Sequence, residues 1–266
     1  KLKPISFTFP KVSVTGTENL MMAATLTKGE TKLRNCAKEP EVFELASYLN
    51  SCGAQIQGAG ESEIIIQGVD SLSATRWNVL FDRIEAGTYL VAGAITNGHV
   101  KVNKINPKTI EIVIKKLIEM GVKVNIFEDS VEVDATSSDL KARDIFTEPF
   151  PGFPTDMQAQ FMALNTIANG NCIVEENVFE NRFQHVSELR KMGANISLNK
   201  NKAFVSGISN LDGATVSASD LRASASLVLA GLVGKNKTQI NDIYHIDRGY
   251  ECIEEKLNKL GAEIIR

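Results

Sequence analysis

The sequence predicts an α/β fold in which one unit of strand, helix, strand, helix and two strands occurs four times. Four glycines that follow apolar helical segments recur at intervals of 68, 72 and 68 residues. A shorter apolar helix and a strand precede each glycine, and a hairpin follows the first three. We therefore predict four βαβαββ repeats, and one continuous Rossmann-type sheet would contradict this prediction.

The first helix of every repeat closes in a turn and leads into an alternating strand. The four segments read "MMAATLTKGETKL", "YLVAGAITNGHVKV", "FMALNTIANGNCIV" and "LVLAGLVGKNKTQI". Each repeat is also expected to have its own opening strand, which in the first repeat is "ISFTFPKVSV".

The second helix of every repeat ends at a glycine. The segments are "YLNSCGAQI", "LIEMGVKV", "LRKMGANI" and "LNKLGAEI", and the glycines are Gly53, Gly121, Gly193 and Gly261. Glycine adopts the left-handed conformation after a helix without steric cost, so each one marks a reversal into a strand. The hairpins "QIQGAGESEIIIQGV", "VKVNIFEDSVEVDA" and "ISLNKNKAFVSGI" complete the first three repeats.

The fourth repeat stops at "GAEIIR", before its second hairpin strand, and this predicts an unpaired sheet edge. The chain also begins inside a repeat. We expect an internal part of a longer protein, whose absent N-terminal segment pairs with the open edge. Residues 69–81 are expected to form an ordered connection between two groups of repeats, because they include several apolar residues and Trp77.

Composition narrows the class of protein. The 266 residues are 43% hydrophobic with a net charge of −3, so neither nucleic acid nor an anionic membrane surface is indicated as a partner. There is no apolar run of about 18 residues and no signal peptide, which favours a cytoplasmic protein. Four cysteines without metal-ligand spacing read as reduced structural thiols: Cys36, Cys52, Cys172 and Cys252.

Three arginines lie near predicted helix starts, where the helix dipole disfavours a cation. The arginines are Arg182, Arg222 and Arg248, and the expected caps are Asn181, Ser219 and Asp247. One interpretation is that the neighbouring acids Glu180, Asp220 and Asp247 neutralise them in local pairs. The other is that arginine forks and helix N-termini converge on a phosphate or carboxylate.

Asp156 follows the rigid segment "PFPGFPTD" and lies in the first turn of a predicted apolar helix. It could simply cap that helix together with Thr155. It could also serve as a base for a substrate hydroxyl, because three prolines fix the backbone before it. Nearby cations would keep such an aspartate ionised and make it a weak base.

Six segments carry a resemblance to a known family: "EPEV", "DRIEAGT", "FPTDMQAQF", "VFENRFQHV", "DLRASASLVLAG" and "YHIDRGYE". At these residues the chain resembles the enolpyruvyl transferases. Within this family it is most similar to the branch that uses UDP-N-acetylglucosamine in bacterial peptidoglycan synthesis. The resemblance implies an inside-out α/β barrel of two lobes with three repeats each. Residues 1–80 would then be the last repeat of the first lobe. Residues 81–266 would be the second lobe, lacking an N-terminal strand segment.

The resemblance also implies the site residues and the small-molecule partners. Asp156 would act on the sugar 3-hydroxyl, and Arg182, Arg222 and Arg248 would bind phosphoenolpyruvate. Contacts to UDP-N-acetylglucosamine would come from Lys11, Val12, Ser13, Val14 and Val178. No metal or redox cofactor is implied.

The family's reactive loop cysteine or aspartate, a catalytic lysine and another phosphate-binding arginine have no counterpart in this chain. The resemblance therefore implies that residues 1–266 alone are inactive and need an N-terminal part of the same enzyme. Two alternatives remain at this stage: the branch that makes enolpyruvylshikimate phosphate, and a repeat scaffold without chemistry.

Overall fold

The structure, a computed structural model, describes residues 1–266 and divides into two compact units. The first comprises Lys1–Leu80 with Pro149–Gly152, and the second comprises Phe81–Glu148 with Phe153–Arg266. Helices and strands alternate along the chain, so the predicted mixed α/β class is confirmed. The strands form four separate open sheets, and none of them closes into a barrel.

The first compact unit is one complete βαβαββ repeat. Its elements are β1 (Ser6–Thr8), α1 (Val14–Thr25), β2 (Gly29–Arg34), α2 (Pro40–Ser51), β3 (Gln55–Gln57) and β4 (Glu63–Gly68). The sheet order is β1-β2-β4-β3, with β1 parallel to β2 and the other pairs antiparallel. Met21, Leu33, Ile64 and Ile66 are fully buried between this sheet and the two helices.

The second compact unit contains the remaining three repeats. The second repeat comprises α3 (Arg83–Ile95), β5 (His99–Asn103), a 3₁₀ turn (Pro107–Ile110), α4 (Glu111–Glu119), β6 (Lys123–Ile126) and β7 (Ser130–Asp134). The third comprises β8 (Ile145–Phe146), a 3₁₀ turn (Thr155–Met157), α5 (Gln158–Ile167), β9 (Asn171–Glu175), α6 (His185–Lys191), β10 (Asn195–Asn199) and β11 (Lys202–Ser206). The fourth comprises β12 (Thr215–Ser217), α7 (Leu221–Gly231), β13 (Gln239–Asn241), a 3₁₀ turn (Ile243–Arg248) and α8 (Ile253–Lys259).

Three helices, α3, α5 and α7, form the centre of this second unit and pack on one another. They are buried around almost their whole circumference, and most of the buried residues are apolar, as expected for central helices. Gly93 lets α3 pack closely on the sheet β5-β7-β6, because a Cβ there would lie only 2.8 Å from Val133 Cγ2. One continuous hydrophobic core therefore joins all three repeats.

The four glycines that defined the repeat have the predicted backbone conformation. Their φ angles are +102° at Gly53, +95° at Gly121, +88° at Gly193 and +103° at Gly261. Each directly follows the C-cap residue of α2, α4, α6 or α8, so these glycines terminate the second helix of each repeat as expected.

Two predicted strands do not form. The second repeat has no opening strand, and its sheet is the three-stranded β5-β7-β6. Instead, the chain up to residue 80 stays on the first compact unit, where Trp77 Nε1 donates to Glu44 Oε1 at 3.2 Å and the Trp77 ring contacts Tyr48. Residues 262–266 form no strand either. In the earlier repeats the equivalent strand pairs with the second hairpin strand, and no such partner occurs here.

Candidate active site around Asp156

The Asp156 carboxylate lies between two arginine side chains of the second compact unit. Its Oδ1 accepts a hydrogen bond from Arg182 Nη2, and its Oδ2 accepts one from Arg222 Nη2 at 3.1 Å. The side chains of Arg182 and Arg222 are only 16% and 14% exposed, and that of Asp156 is 38% exposed. Three segments distant in sequence thus place two cations and one anion together.

The turn that carries Asp156 shows that this side chain is not a helix cap. Asp156 lies in the 3₁₀ turn Thr155–Met157, and neither this turn nor α5 has a side-chain capping bond. The neighbouring Thr155 hydroxyl donates to Glu176 Oε2 at 2.8 Å. The capping alternative for Asp156 is therefore wrong, because the carboxylate is directed to the arginines.

Arg222 is the second residue of α7, so the prediction of an arginine in the first turn of a helix is correct here. The cap is Asp220, not Ser219: its Oδ1 accepts from the backbone N–H groups of Arg222 at 2.8 Å and Ala223 at 3.0 Å. Asp220 neutralises the helix terminus, and the guanidinium of Arg222 pairs with Asp156.

Arg182 precedes its helix, since α6 begins at His185 and its N-cap residue is Gln184. The expected cap, Asn181, has a left-handed φ of +57° and lies outside the helix. The Arg182 guanidinium carbon is 4.8 Å from the centre of the Phe179 ring, which supports it from one side. Arg182 pairs with Asp156 and not with Glu180, so the local-pair interpretation is wrong at this position.

Arg248 is an exposed residue at the end of the 3₁₀ turn, and the next helix begins only at Ile253. The expected cap Asp247 binds Arg266 instead. The prediction that Arg248 lies at a helix N-terminus is therefore wrong. It is also not among the ion-pair partners of Asp156.

The charges of this cluster determine its protonation. Burial alone would raise the pKa of Asp156, but the positive charges of Arg222 and Arg182 and their hydrogen bonds outweigh it and hold the pKa below its usual value. Burial would lower the pKa of Arg222, but the Asp156 charge, the neighbouring Tyr250 and the hydrogen bonds to both together outweigh it and raise that pKa. At neutral pH the carboxylate is ionised, which makes it a good hydrogen-bond acceptor and a weak base.

A buried polar network lies beside Arg222. The Thr88 hydroxyl donates to Ile84 O at 2.8 Å, so its oxygen accepts from the Tyr250 hydroxyl at 2.9 Å and from Gln160 Nε2 at 3.1 Å. The Tyr250 proton is thereby used, so its oxygen acts only as an acceptor. Gln160 Nε2 donates to it at 3.4 Å, and its interaction with Arg222 helps to raise the pKa of Arg222. Sequence reasoning missed this network, although a glutamine and a threonine inside apolar helices were a usable signal.

The arginine cluster has unused hydrogen-bonding capacity. Arg222 Nη1 is buried without a hydrogen-bond partner, and so are both side-chain polar atoms of Gln158. A buried guanidinium donor without an acceptor is unfavourable by about 1–3 kcal/mol or more. A carboxylate or phosphate would satisfy it with charge-assisted hydrogen bonds, so the cluster suits an anionic ligand.

The other residues implied by the resemblance lie elsewhere. Lys11, Val12, Ser13 and Val14 belong to the first compact unit. Ser13 caps α1, because its Oγ accepts from Gly16 N at 3.1 Å. Val178 is in the second unit, and its backbone N–H donates to Glu176 Oε1 at 2.9 Å.

The four cysteines form no disulfide. Cys36, Cys52 and Cys172 are buried and Cys252 is exposed, and burial raises the pKa of Cys172 to about 12. No cluster of three or more potential metal ligands occurs in residues 1–266, and none of the helices has the length and apolar character of a membrane span.

Comparison with known proteins shows which family the chain belongs to. The chain is 56% identical over all its 266 residues to UDP-N-acetylglucosamine 1-carboxyvinyltransferase from Coxiella burnetii, and it spans 61% of that relative's length. It is also similar to the crystal structure of the enolpyruvyl transferase NikO from Streptomyces tendae, with a TM-score of 0.85 and 27% identity over 94% of this chain and 59% of the other.

EPSP synthase from Acinetobacter baumannii has the same fold, with a TM-score of 0.73 and 20% identity over 98% of this chain and 63% of the other. The family model of EPSP synthase (3-phosphoshikimate 1-carboxyvinyltransferase) matches residues 1–257. With almost the whole chain matched, the protein belongs to the EPSP synthase family.

Proposed function

We propose that the chain is the larger part of an enzyme that transfers the enolpyruvyl group from phosphoenolpyruvate to the 3-hydroxyl of UDP-N-acetylglucosamine. This would be the first committed step of peptidoglycan synthesis, and so would serve cell-wall growth, cell shape and division. The 56% identity to a relative named for this reaction supports the proposal. Because both substrates are metabolites of the cytoplasm, we propose that compartment as the place of action.

The observation that carries the proposal is the carboxylate of Asp156 between Arg182 and Arg222. Two buried guanidinium groups can bind the carboxylate of phosphoenolpyruvate through paired N–H donors. The unpaired Nη1 of Arg222 supplies a further donor. An ionised aspartate at the same point can accept a proton from a sugar hydroxyl.

The proposed reaction has two stages. In the first, the sugar O3 bonds to C2 of phosphoenolpyruvate, the hydroxyl proton passes to the Asp156 carboxylate, and C3 takes up a proton from an acid. In the second, the bond from C2 to the phosphate oxygen breaks, C3 loses a proton, and the double bond re-forms. The arginines hold the reacting carboxylate throughout, which contributes orientation more than covalent chemistry.

We assign the remaining residues in the same way. Lys11, Val12, Ser13, Val14 and Val178 would contact UDP-N-acetylglucosamine, and Arg248 would close onto the phosphate of phosphoenolpyruvate. Residues 1–80 would be the last repeat of one lobe, and residues 81–266 would be three repeats of the other. The exposed position of Arg248 agrees with a residue that reaches the ligand only when the site closes.

Phosphate release by the full-length protein tests the proposal. With phosphoenolpyruvate present, we expect turnover with UDP-N-acetylglucosamine and none with shikimate 3-phosphate. The opposite preference would support the alternative named in the description of the family model, a 3-phosphoshikimate 1-carboxyvinyltransferase. Turnover with neither acceptor, and no thermal stabilisation by phosphoenolpyruvate, would leave a scaffold without chemistry.

A pair of conservative variants tests the role of Arg222. Arg222→Lys keeps the charge but loses the planar pair of donors, so KM for phosphoenolpyruvate should rise by about 10-fold or more. The matched control is Arg190→Lys, because Arg190 also uses its guanidinium in a hydrogen bond, to Ile196 O at 2.8 Å, but lies outside the cluster. Equal effects of the two changes on KM would contradict the assignment.

A further inference from the structure

Glu176 is a buried carboxylate whose partners are all neutral hydrogen-bond donors. Its side chain follows β9 and is 5% exposed. Oε1 accepts from the Thr147 hydroxyl at 2.8 Å and from the backbone N–H groups of Val178 and Phe179 at 2.9 Å. Oε2 accepts from the Thr155 hydroxyl at 2.8 Å. Four donors from three separate stretches of chain thus converge on one side chain.

The backbone of Glu176 is itself fixed. Its N–H donates to Asn201 O at 2.9 Å, and Asn201 Nδ2 donates back to Glu176 O at 3.2 Å. The backbone of Glu176 is therefore anchored to the loop between β10 and β11, so its carboxylate can hold a fixed position for the segments that bind it.

Two of those segments lead directly to the arginine cluster. Thr155 is adjacent to Asp156 within the same 3₁₀ turn. On the other side, the backbone of Phe179 is held by Oε1, and its ring lies under the Arg182 guanidinium at 4.8 Å. One oxygen of Glu176 thus fixes the turn that carries the anion, and the other fixes the aromatic support of the cation.

We propose that Glu176 is a positioning residue that holds the Asp156 carboxylate and the Arg182 guanidinium in fixed positions relative to each other. It touches neither the ion pair nor, in our assignment, the substrates, and it acts through Thr155 and Phe179. The inference rests on the proposed enolpyruvyl transfer for its kinetic consequence. A displacement of about 1 Å between reacting groups can lower turnover by roughly 100-fold.

Two threonine variants separate positioning from simple stability. Thr155→Val and Thr147→Val each remove one hydroxyl that donates to Glu176, but only Thr155 is next to Asp156. In the full-length protein we expect Thr155→Val to lower kcat by about 10-fold or more, with KM for UDP-N-acetylglucosamine within about 2-fold. Thr147→Val should lower the melting temperature while kcat stays within about 3-fold of wild type.

Two conservative replacements, at Thr155 and at Glu176, extend the test. Thr155→Ser keeps the hydroxyl and should restore kcat, whereas a role in filling space would not be rescued by the smaller side chain. Glu176→Gln should lower kcat more than Thr155→Val, since its amide nitrogen cannot accept. Should Glu176→Gln fail to fold, the Thr155 pair still decides the question.

Nitrogen-15 NMR of the arginine guanidinium groups, recorded without substrates, reports the ion pair independently of activity. We expect separate, slowly exchanging Arg182 Nη signals in wild type and Thr155→Ser, and averaged signals in Thr155→Val. If wild type turns over neither acceptor but the Arg182 signals still become averaged in Thr155→Val, the positioning role is upheld and the proposed function fails. Unchanged Arg182 signals together with unchanged kcat in Thr155→Val would overturn the positioning role.

Discussion

Replacing Asp156 with asparagine isolates the charge that joins Arg182 and Arg222. The asparagine side chain has nearly the same shape, and its carbonyl oxygen could still accept from one arginine, but the negative charge would be gone. Both arginine side chains are about 85% buried. They would then repel each other without a compensating anion, so this change perturbs stability as well as chemistry.

The size of the effect follows from burial. Removing one partner of a fully buried ion pair costs about 3–5 kcal/mol. The Asp156 side chain is 38% exposed, so water screens part of the interaction, and asparagine retains one acceptor. We therefore expect a loss of about 1–3 kcal/mol, which corresponds to a fall in Tm of about 3–9 °C. Turnover should fall by roughly 10²–10⁴, since the proton acceptor is lost.

The pH dependence of stability gives a second readout with a defined sign. The two arginines hold the folded-state pKa of Asp156 below its usual value. Its contribution to stability is then complete above the unfolded pKa of about 3.9 and is lost as the pH falls through the folded-state pKa. The difference in Tm between wild type and Asp156→Asn should therefore be constant near neutral pH and shrink below about pH 4.

Thermal melting and steady-state kinetics on the same full-length preparations provide the assay. Asp134→Asn is the matched control, because that carboxylate is 32% exposed, lies at the end of β7 at 4.0 Å from Lys123 Nζ, and accepts two hydrogen bonds from Thr136. It should cost no more than about 1 kcal/mol and leave turnover unchanged. An Asp156→Asn protein with wild-type Tm and wild-type turnover would refute the reasoning for both roles.

Two further predictions concern the surroundings of the cluster. Tyr250→Phe removes the acceptor beside Arg222 and one donor to Thr88. We expect the free energy of unfolding, measured by chemical denaturation, to fall by about 1–3 kcal/mol and KM for phosphoenolpyruvate to rise. An unchanged KM would show that Arg222 needs no support from Tyr250. Alanine at Cys36, Cys52, Cys172 or Cys252 should leave turnover within a few-fold, and in the native protein iodoacetamide should label Cys252 alone, because the other three thiols are buried. A folded cysteine variant without activity would reveal a catalytic thiol.

The repeat was readable from the sequence because it depends on local chemistry. A glycine that ends a helix needs a left-handed φ, and all four have it, from Gly53 to Gly261. The missing strand of the second repeat was not readable. A strand needs a partner, and Trp77 and Leu80 bind Glu44 of the first compact unit instead of a neighbouring strand.

Sequence reasoning named Asp156, Arg182 and Arg222, which form the cluster, but it also named Arg248, which is not an ion-pair partner of Asp156. Arg182 and Arg222 stood out because cations are unusual near helix starts, yet only Arg222 occupies the first turn of a helix. Asp156 is the partner of both because the fold brings three segments together, and no local sequence pattern indicates that these segments meet. Glu176 and Tyr250 were missed because each also has a partner distant in sequence: Thr155 lies 21 positions from Glu176, and Thr88 lies 162 positions from Tyr250.

The network of Thr88, Gln160 and Tyr250 has a consequence for unfolding. Each of the three residues comes from a different repeat of the second compact unit, and their hydrogen bonds are made inside one shared core. Stacked-repeat proteins can lose repeats one at a time, since each repeat contacts only its neighbours. Here the loss of any one repeat would leave buried polar groups of the other two without hydrogen-bond partners. Residues 81–266 should therefore melt in a single cooperative transition.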